Sequence, residues 1–166
     1  MIRWLPDLVL MPDYGDNWER YLNVLYYFYI KDFIENKPIY YGKRLAVKKY
    51  PLIDGKEATF WHIIQEGQKE EQRIPDFRRC ERIRWPKAII ENCNKCKIKI
   101  WENERQTKKG KQVSICIWFE SKDYLIILRK RNNYILFWTS YPVTASHRKI
   151  KLEKEFNSYK NRQGTP

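Results

Sequence analysis

Near the middle of the chain the spacing of apolar residues changes from helical to alternating, and that change fixes the class of fold. From Cys96 onward Ile98 and Ile100 alternate with Lys97, Lys99 and Trp101. Val113, Ile115, Ile117 and Phe119 alternate with Ser114, Cys116 and Trp118, and Ile135, Phe137, Thr139 and Tyr141 with Tyr134, Leu136, Trp138 and Ser140. Leu125–Leu128 is continuously apolar. Alternation sends successive side chains to opposite faces of a sheet, so four strands in succession are predicted. Lys108-Lys109-Gly110, Ser121-Lys122 and Asn132-Asn133 separate them, the last because asparagine tolerates the positive φ of a two-residue hairpin. Turns this short make neighbours pair, which predicts an antiparallel meander.

The first half has the helical period. Asp16-Asn17-Trp18-Glu19 reads as an N-cap with Glu at N3, and Tyr21, Leu25, Phe28 or Tyr29, and Phe33 follow, predicting a helix over 18–36 that Lys37-Pro38 ends. Arg44–Lys49 reads as a short strand or extended connector before the Asp54-Gly55 turn. Glu57–Glu66 reads as a short amphipathic helix stopped by Gly67, and Gln68–Arg73 as loop. Pro75-Asp76 opens a helix through Trp85, which Pro86 interrupts before Lys87–Asn92 adds a turn. After Pro142, Thr144 or Ser146 caps a last helix with Leu152, Phe156 and Tyr159 at i, i+4, i+7 and Arg148, Lys149, Lys151 and Lys154 on its polar side. The expected fold is α+β: N-terminal helices, a four-stranded antiparallel meander and a C-terminal helix.

At 166 residues and 43% hydrophobic, the chain suits one domain. Its most apolar window, Tyr21–Ile30, is about half the length of a bilayer crossing, and acids and prolines come too early for a signal peptide, so a cytoplasmic protein is expected.

The net charge is +13 and is unevenly spread: residues 1–94 carry 16 basic and 14 acidic side chains, residues 95–166 carry 17 and 6. One strongly basic half points to a polyanion, RNA or DNA first, because neutralised phosphates release condensed counterions. The alternative is a solvated lysine-rich face.

Walker, Rossmann, His-Glu-x-x-His and Gly-x-Ser-x-Gly patterns are absent from the sequence. Cys93-Asn-Lys-Cys96 has knuckle spacing but no second close pair, so four reduced cysteines and no metal or other cofactor are expected. His62, in Phe60-Trp-His-Ile-Ile64, is either a buried structural histidine or a proton-transfer group. The sequence places no carboxylate clearly beside it. Arg78, Arg79, Arg82 and Arg84 could bind a phosphate bidentately, or form a solvated helix face paired to Glu81 or Asp76. Thr139-Ser140-Tyr141-Pro142 brings hydroxyls to a strand end. Trp101, Trp118, Tyr124, Arg129, Lys130, Arg131 and Trp138 suggest a sheet platform for unstacked bases, with about half of the aromatics in the core. His147, beside Arg148, begins the last helix, a place suited to anions.

Phe60-Trp-His62, the segment Arg78–Trp85, and Phe137-Trp-Thr-Ser-Tyr141 followed by the basic helix Arg148–Tyr159 together resemble the nuclease group that includes barnase, EndoU, colicins E5 and D, and RelE, with members in phage and toxin–antitoxin loci. The resemblance implies residues 44–160 as a nuclease-like core, 1–43 as an N-terminal helical extension and 161–166 as a tail. It also implies metal-independent cleavage of RNA by attack of the 2′-OH on the adjacent phosphate, by a toxin or mobile-element effector. His62 would transfer a proton, Arg79 and Arg82 would hold the phosphate, and Thr139 and Tyr141 would position it or the leaving group. Arg78, Arg129, Arg131, His147, Arg148, Lys149 and Lys151 would bind the nucleic acid. RNA and an acidic antitoxin or inhibitor are the partners implied. The alternative is a non-catalytic RNA- or DNA-binding module using the basic half. A third class is an interaction protein that docks through the helix 18–36.

Overall fold

The computed structural model describes residues 2–95 and 97–164. Asn17, rather than Asp16, caps the first helix: its side-chain oxygen accepts from the Arg20 backbone N–H at 3.0 Å. Helix α1 (Trp18–Tyr29) passes directly into a π-helical turn, Ile30–Glu35. An i, i+4 stripe drifts about 40° per step around an α-helix, and the wider turn takes back part of that drift. Tyr21, Leu25, Tyr29 and Phe33 are consequently all fully buried, with the Phe33 ring 5.4 Å from Tyr29 and 4.9 Å from Phe137. Tyr26 is half-buried and donates to Glu57 at 2.8 Å; only Tyr27 of these tyrosines stands out in solvent. The segment 18–36 therefore closes the main core and offers little free aromatic face for docking.

Strands β1 (Ile39–Tyr40) and β2 (Lys43–Arg44) form a small hairpin, after which the connector bridges Ala46 to Leu136 at the sheet edge. Helix α2 (Ala58–Ile64) is not amphipathic, since every one of its residues is buried. Phe60 packs between Tyr26 and Tyr29, and Thr59 Oγ1 accepts from the Lys48 backbone N–H at 2.7 Å. Instead of ending in a plain loop, the chain forms a second hairpin: β3 (Gln65–Glu66) pairs with β4 (Ile74–Pro75) around a 3₁₀ turn at Glu70–Gln72. Asp76 caps α3 (Phe77–Glu81), accepting from the Arg78 backbone N–H at 2.9 Å. Pro86 begins the following helix rather than interrupting the preceding one: α4 (Trp85–Asn92) carries it in the first turn, where a missing N–H costs nothing.

The meander is β5 (Lys99–Thr107), β6 (Gly110–Phe119), β7 (Tyr124–Lys130) and β8 (Ile135–Pro142), paired antiparallel in chain order. Lys108-Lys109 make the first turn, with Gly110 at φ +104°. The last turn spans four residues, 131–134, closed by the Arg131 N–H on the Tyr134 carbonyl at 2.9 Å, and neither Asn132 nor Asn133 takes a positive φ. A bulge interrupts β8: Ile127 pairs with Thr139 and Leu128 with Phe137, leaving Trp138 as the extra residue. Simple alternation puts Phe137, Thr139 and Tyr141 on one face. The bulge instead keeps Phe137 in the core and turns Thr139 and Tyr141 to the opposite side.

One face of the sheet, with Ile115, Ile117, Tyr124, Ile126, Leu128 and Phe137, packs on α1, α2 and α4. The other, with Trp101, Cys116, Trp118 and Leu125, is covered at one end by α5 (Ser146–Gln163) through Leu152 and Phe156. Ala145 is the N-cap of α5, and neither Thr144 nor Ser146 supplies a side-chain cap. Among the described residues no helix is long and apolar enough to cross a membrane. Phe137 is 1% exposed at the junction of both halves. Phe137→Ala should therefore cost about 3–5 kcal/mol in urea denaturation, in one cooperative transition for the whole chain.

Candidate functional site

Cross-strand register builds the site. On the α5 side of the sheet, Lys99, Trp118, Leu125 and Tyr141 form one row and Trp101, Cys116, Ile127 and Thr139 the next. Helix α5 covers most of both rows. Next come Asn103–Ser114–Arg129 and Arg105–Gln112, which are polar and, Arg105 apart, half-buried. These rows line a cleft of about 310 Å³ together with Trp138, Thr139 and Tyr141 from β8 and Arg148 and Glu155 from α5.

Charge in this cleft is mainly positive, with Glu155 the one carboxylate among its lining residues. Among the described residues Arg105, Arg129 and Arg148 make no salt bridge. Burial, with the nearby Arg131 and Arg105, pushes Arg129 down to about 10. Its guanidinium lies 3.3 Å from the Trp138 ring centroid, a stacked cation–π arrangement. Burial also acts against the Arg148 charge, but the Tyr141 hydroxyl and Glu155 outweigh it and hold Arg148 above the ordinary guanidinium range. Arg148 Nη2 donates to the Tyr141 hydroxyl at 3.0 Å, and Asn103 Nδ2 donates to Glu155 Oε2 at 2.8 Å.

A second cleft, about 380 Å³, opens on the other side of Tyr141 and is lined by Glu66, Asp76, Arg78, Arg79 and Thr144. The Arg79 guanidinium sits 5.1 Å from the Tyr141 ring centroid, with Nε 3.5 Å from Asp76 Oδ2. The main-chain carbonyl of His62 ties the parts together, accepting from Arg79 Nη1 and from Thr139 Oγ1, each at 3.3 Å.

The His62 imidazole lines neither cleft. It is 11% exposed, edge-on to Trp138, with Nε2 2.8 Å from Glu70 Oε1. A carboxylate partner therefore exists, contrary to the sequence reading; the β3–β4 hairpin folds Glu70 back over the helix. Burial acts to raise Glu70, but its hydrogen bond and charge contact with His62, aided by Arg73 and Lys48, hold it below the ordinary carboxylate range.

Of the other expected residues, Thr139, Tyr141, Arg129 and Arg148 meet in the first cleft, and Arg78 and Arg79 in the second. Arg82 turns away: it pairs with Glu81 at 3.3 Å, donates to the Arg78 carbonyl at 2.9 Å and lies over the Trp85 ring. Arg131 is exposed in the β7–β8 turn beside Arg129. Lys149 pairs with Asp123 at 2.8 Å, and His147 and Lys151 are exposed on α5 outside both clefts. Trp101, Trp118 and Tyr124 are buried, so of the expected base platform only Trp138 and Arg129 reach the cleft. Lys130 lies on the opposite face, paired with Glu102.

Asn103, Arg105, Gln112, Ser114 and Glu155 escaped the sequence reading. The turn at Lys108-Lys109 carried the signal for the four strand residues: pairing Thr107 with Gly110 sets Arg105 opposite Gln112 and Asn103 opposite Ser114.

Cys80, Cys93 and Cys116 are buried free thiols, and burial pushes Cys80 and Cys116 up to about 12. Cys96, the other half of the knuckle spacing, lies outside the described residues. No His/Cys/Asp/Glu cluster suited to a metal occurs among the described residues. Comparisons with protein-family models, with curated proteins and with solved structures gave no match.

Like charges gathered in one cleft oppose folding and are relieved by salt. Arg105→Gln should thus leave stability within about 0.5 kcal/mol of wild type or raise it, and reduce the gain in melting temperature that added sulfate gives. Thermal denaturation with and without sulfate checks this; a clear loss of stability would make Arg105 a structural residue.

Proposed function

We propose that this protein is a metal-independent endoribonuclease whose reacting phosphate lies at Tyr141, where the two clefts meet. One observation carries the reading: the Tyr141 hydroxyl accepts from Arg148, while Arg79 lies over its ring. One guanidinium on the hydroxyl and a second over the ring suit a phosphodiester, because charge on phosphorus oxygens grows as the ribose 2′-oxygen attacks. In this reaction the 2′-oxygen bonds to phosphorus and releases its proton to water. The P–O5′ bond breaks, and the departing oxygen takes the proton of Tyr141. Arg148, donating to the same phenol oxygen, offsets the negative charge left there until water restores the proton.

Arg79 and Arg148 hold the phosphate in this reading, in place of the Arg79–Arg82 pair. Thr139 positions it, and His62 acts through its carbonyl, which fixes Arg79 and Thr139. The resemblance to the barnase, EndoU, colicin and RelE group supports the same reaction class, a toxin or mobile-element effector. An acidic inhibitor protein covering the basic clefts is the partner it calls for.

A non-catalytic nucleic-acid-binding module is the second reading, favoured by the His62 imidazole being held by Glu70 outside both clefts. Incubation with total RNA in excess EDTA, followed by end-group analysis, separates the two. The nuclease reading expects fragments with 2′,3′-cyclic phosphate ends, a loss of about 10²-fold or more in Tyr141→Phe, and a change below about tenfold in His62→Gln. Intact RNA from a protein that still binds it would favour the module. A requirement for divalent ions would overturn the mechanism.

A further inference from the structure

Among the described residues Tyr141 is the one side chain that lines both clefts, and the two differ in chemistry. The sheet cleft has an apolar floor at Ile127 and Leu152 and a flat cationic plane, Arg129 stacked on Trp138. Such a plane suits a nucleobase. The second cleft is mostly polar, Pro142 apart, and its own guanidinium–aromatic pair, Arg79 on Tyr141, belongs to the shared wall between the clefts. Arg78 stands exposed there and makes no salt bridge among the described residues, while Arg79 is engaged with Asp76, the His62 carbonyl and the Tyr141 ring. Glu66 is likewise exposed and makes no salt bridge among the described residues. A free cation beside a free carboxylate suits a sugar–phosphate unit: guanidinium for a phosphate, carboxylate for a ribose hydroxyl.

Resting on the nuclease reading, we infer that the second cleft is a subsite for the ribose and phosphate flanking the one at Tyr141. The chain then acts on a run of single-stranded RNA with at least two phosphodiesters. Arg78 takes the flanking phosphate and Glu66 accepts from its ribose 2′-hydroxyl, which a deoxyribose lacks.

The test is equilibrium binding of diuridine monophosphate, tetrauridylate and the matching deoxytetranucleotide to the full chain, in a Tyr141→Phe background that suppresses cleavage. The tetranucleotide should bind about tenfold or more tighter than the dinucleoside, since each added phosphate contact contributes a counterion-release gain. Arg78→Glu should reduce that ratio to below about threefold, and Arg78→Lys should keep more of it. Glu66→Gln should shrink the preference for the ribo- over the deoxytetranucleotide. Equal binding of both lengths, or a ratio that Arg78→Glu leaves intact, overturns the subsite while cleavage at Tyr141 stands. Equal binding of the ribo- and deoxytetranucleotides overturns the role of Glu66. Failure to bind any of the three overturns the nuclease reading and the subsite together.

Discussion

The architecture depends on a seven-residue helix with no solvent-facing side. Helix α2 is too short to persist alone in water, and all of its side chains are buried, so it forms only where the rest of the chain surrounds it. Phe60 seats it against α1, and the Thr59 hydroxyl fastens it to the connector at Lys48. At its C-terminal end the His62 carbonyl receives Arg79 from α3 and Thr139 from β8. One buried helix thus sets the distance between the arginine-bearing turn and the sheet, and positional precision at Tyr141 follows from packing well behind it.

Stability and charge are divided between the two faces of the sheet. The face under α1, α2 and α4 is almost wholly apolar, with Tyr124 donating to Ser140 at 2.9 Å so that its buried hydroxyl is satisfied. The opposite face is apolar only where α5 lies on it and turns to guanidinium, amide and hydroxyl groups beyond the helix. Gathering Arg105, Arg129 and Arg148 there opposes folding, and the large core on the far side offsets that cost. A cleft so arranged gains most when an anion enters it.

Period, turn length and amphipathic spacing were enough to read the α+β class, the order of the four strands and the inward face of α5. These signals are local. What stayed hidden depended on chain reversals that no single segment declares. Glu70 reaches His62 because β3 and β4 pair, and a two-residue strand leaves almost no period to detect. Pro86 is equally compatible with ending one helix or starting the next; in the structure it starts α4, whose buried face includes Trp85 and Ile89. Arg79 and Arg82 look equivalent in sequence, yet three residues on a short helix separate a cleft wall from the Trp85 ring. Arg105 could be placed only by carrying the register across a turn.

The bulge at Trp138 acts on the strand much as a one-base insertion acts on a coding sequence. Upstream of it, odd-numbered residues of β8 face the core; downstream, odd-numbered residues face the cleft. A single added residue has thereby moved two hydroxyl-bearing side chains, Thr139 and Tyr141, from interior to surface without altering any residue after it. The same change of frame delivers Ser140 to the interior, where Tyr124 meets it. A polar face can therefore arise on a sheet strand through one insertion, and one deletion can erase it while the strand itself remains.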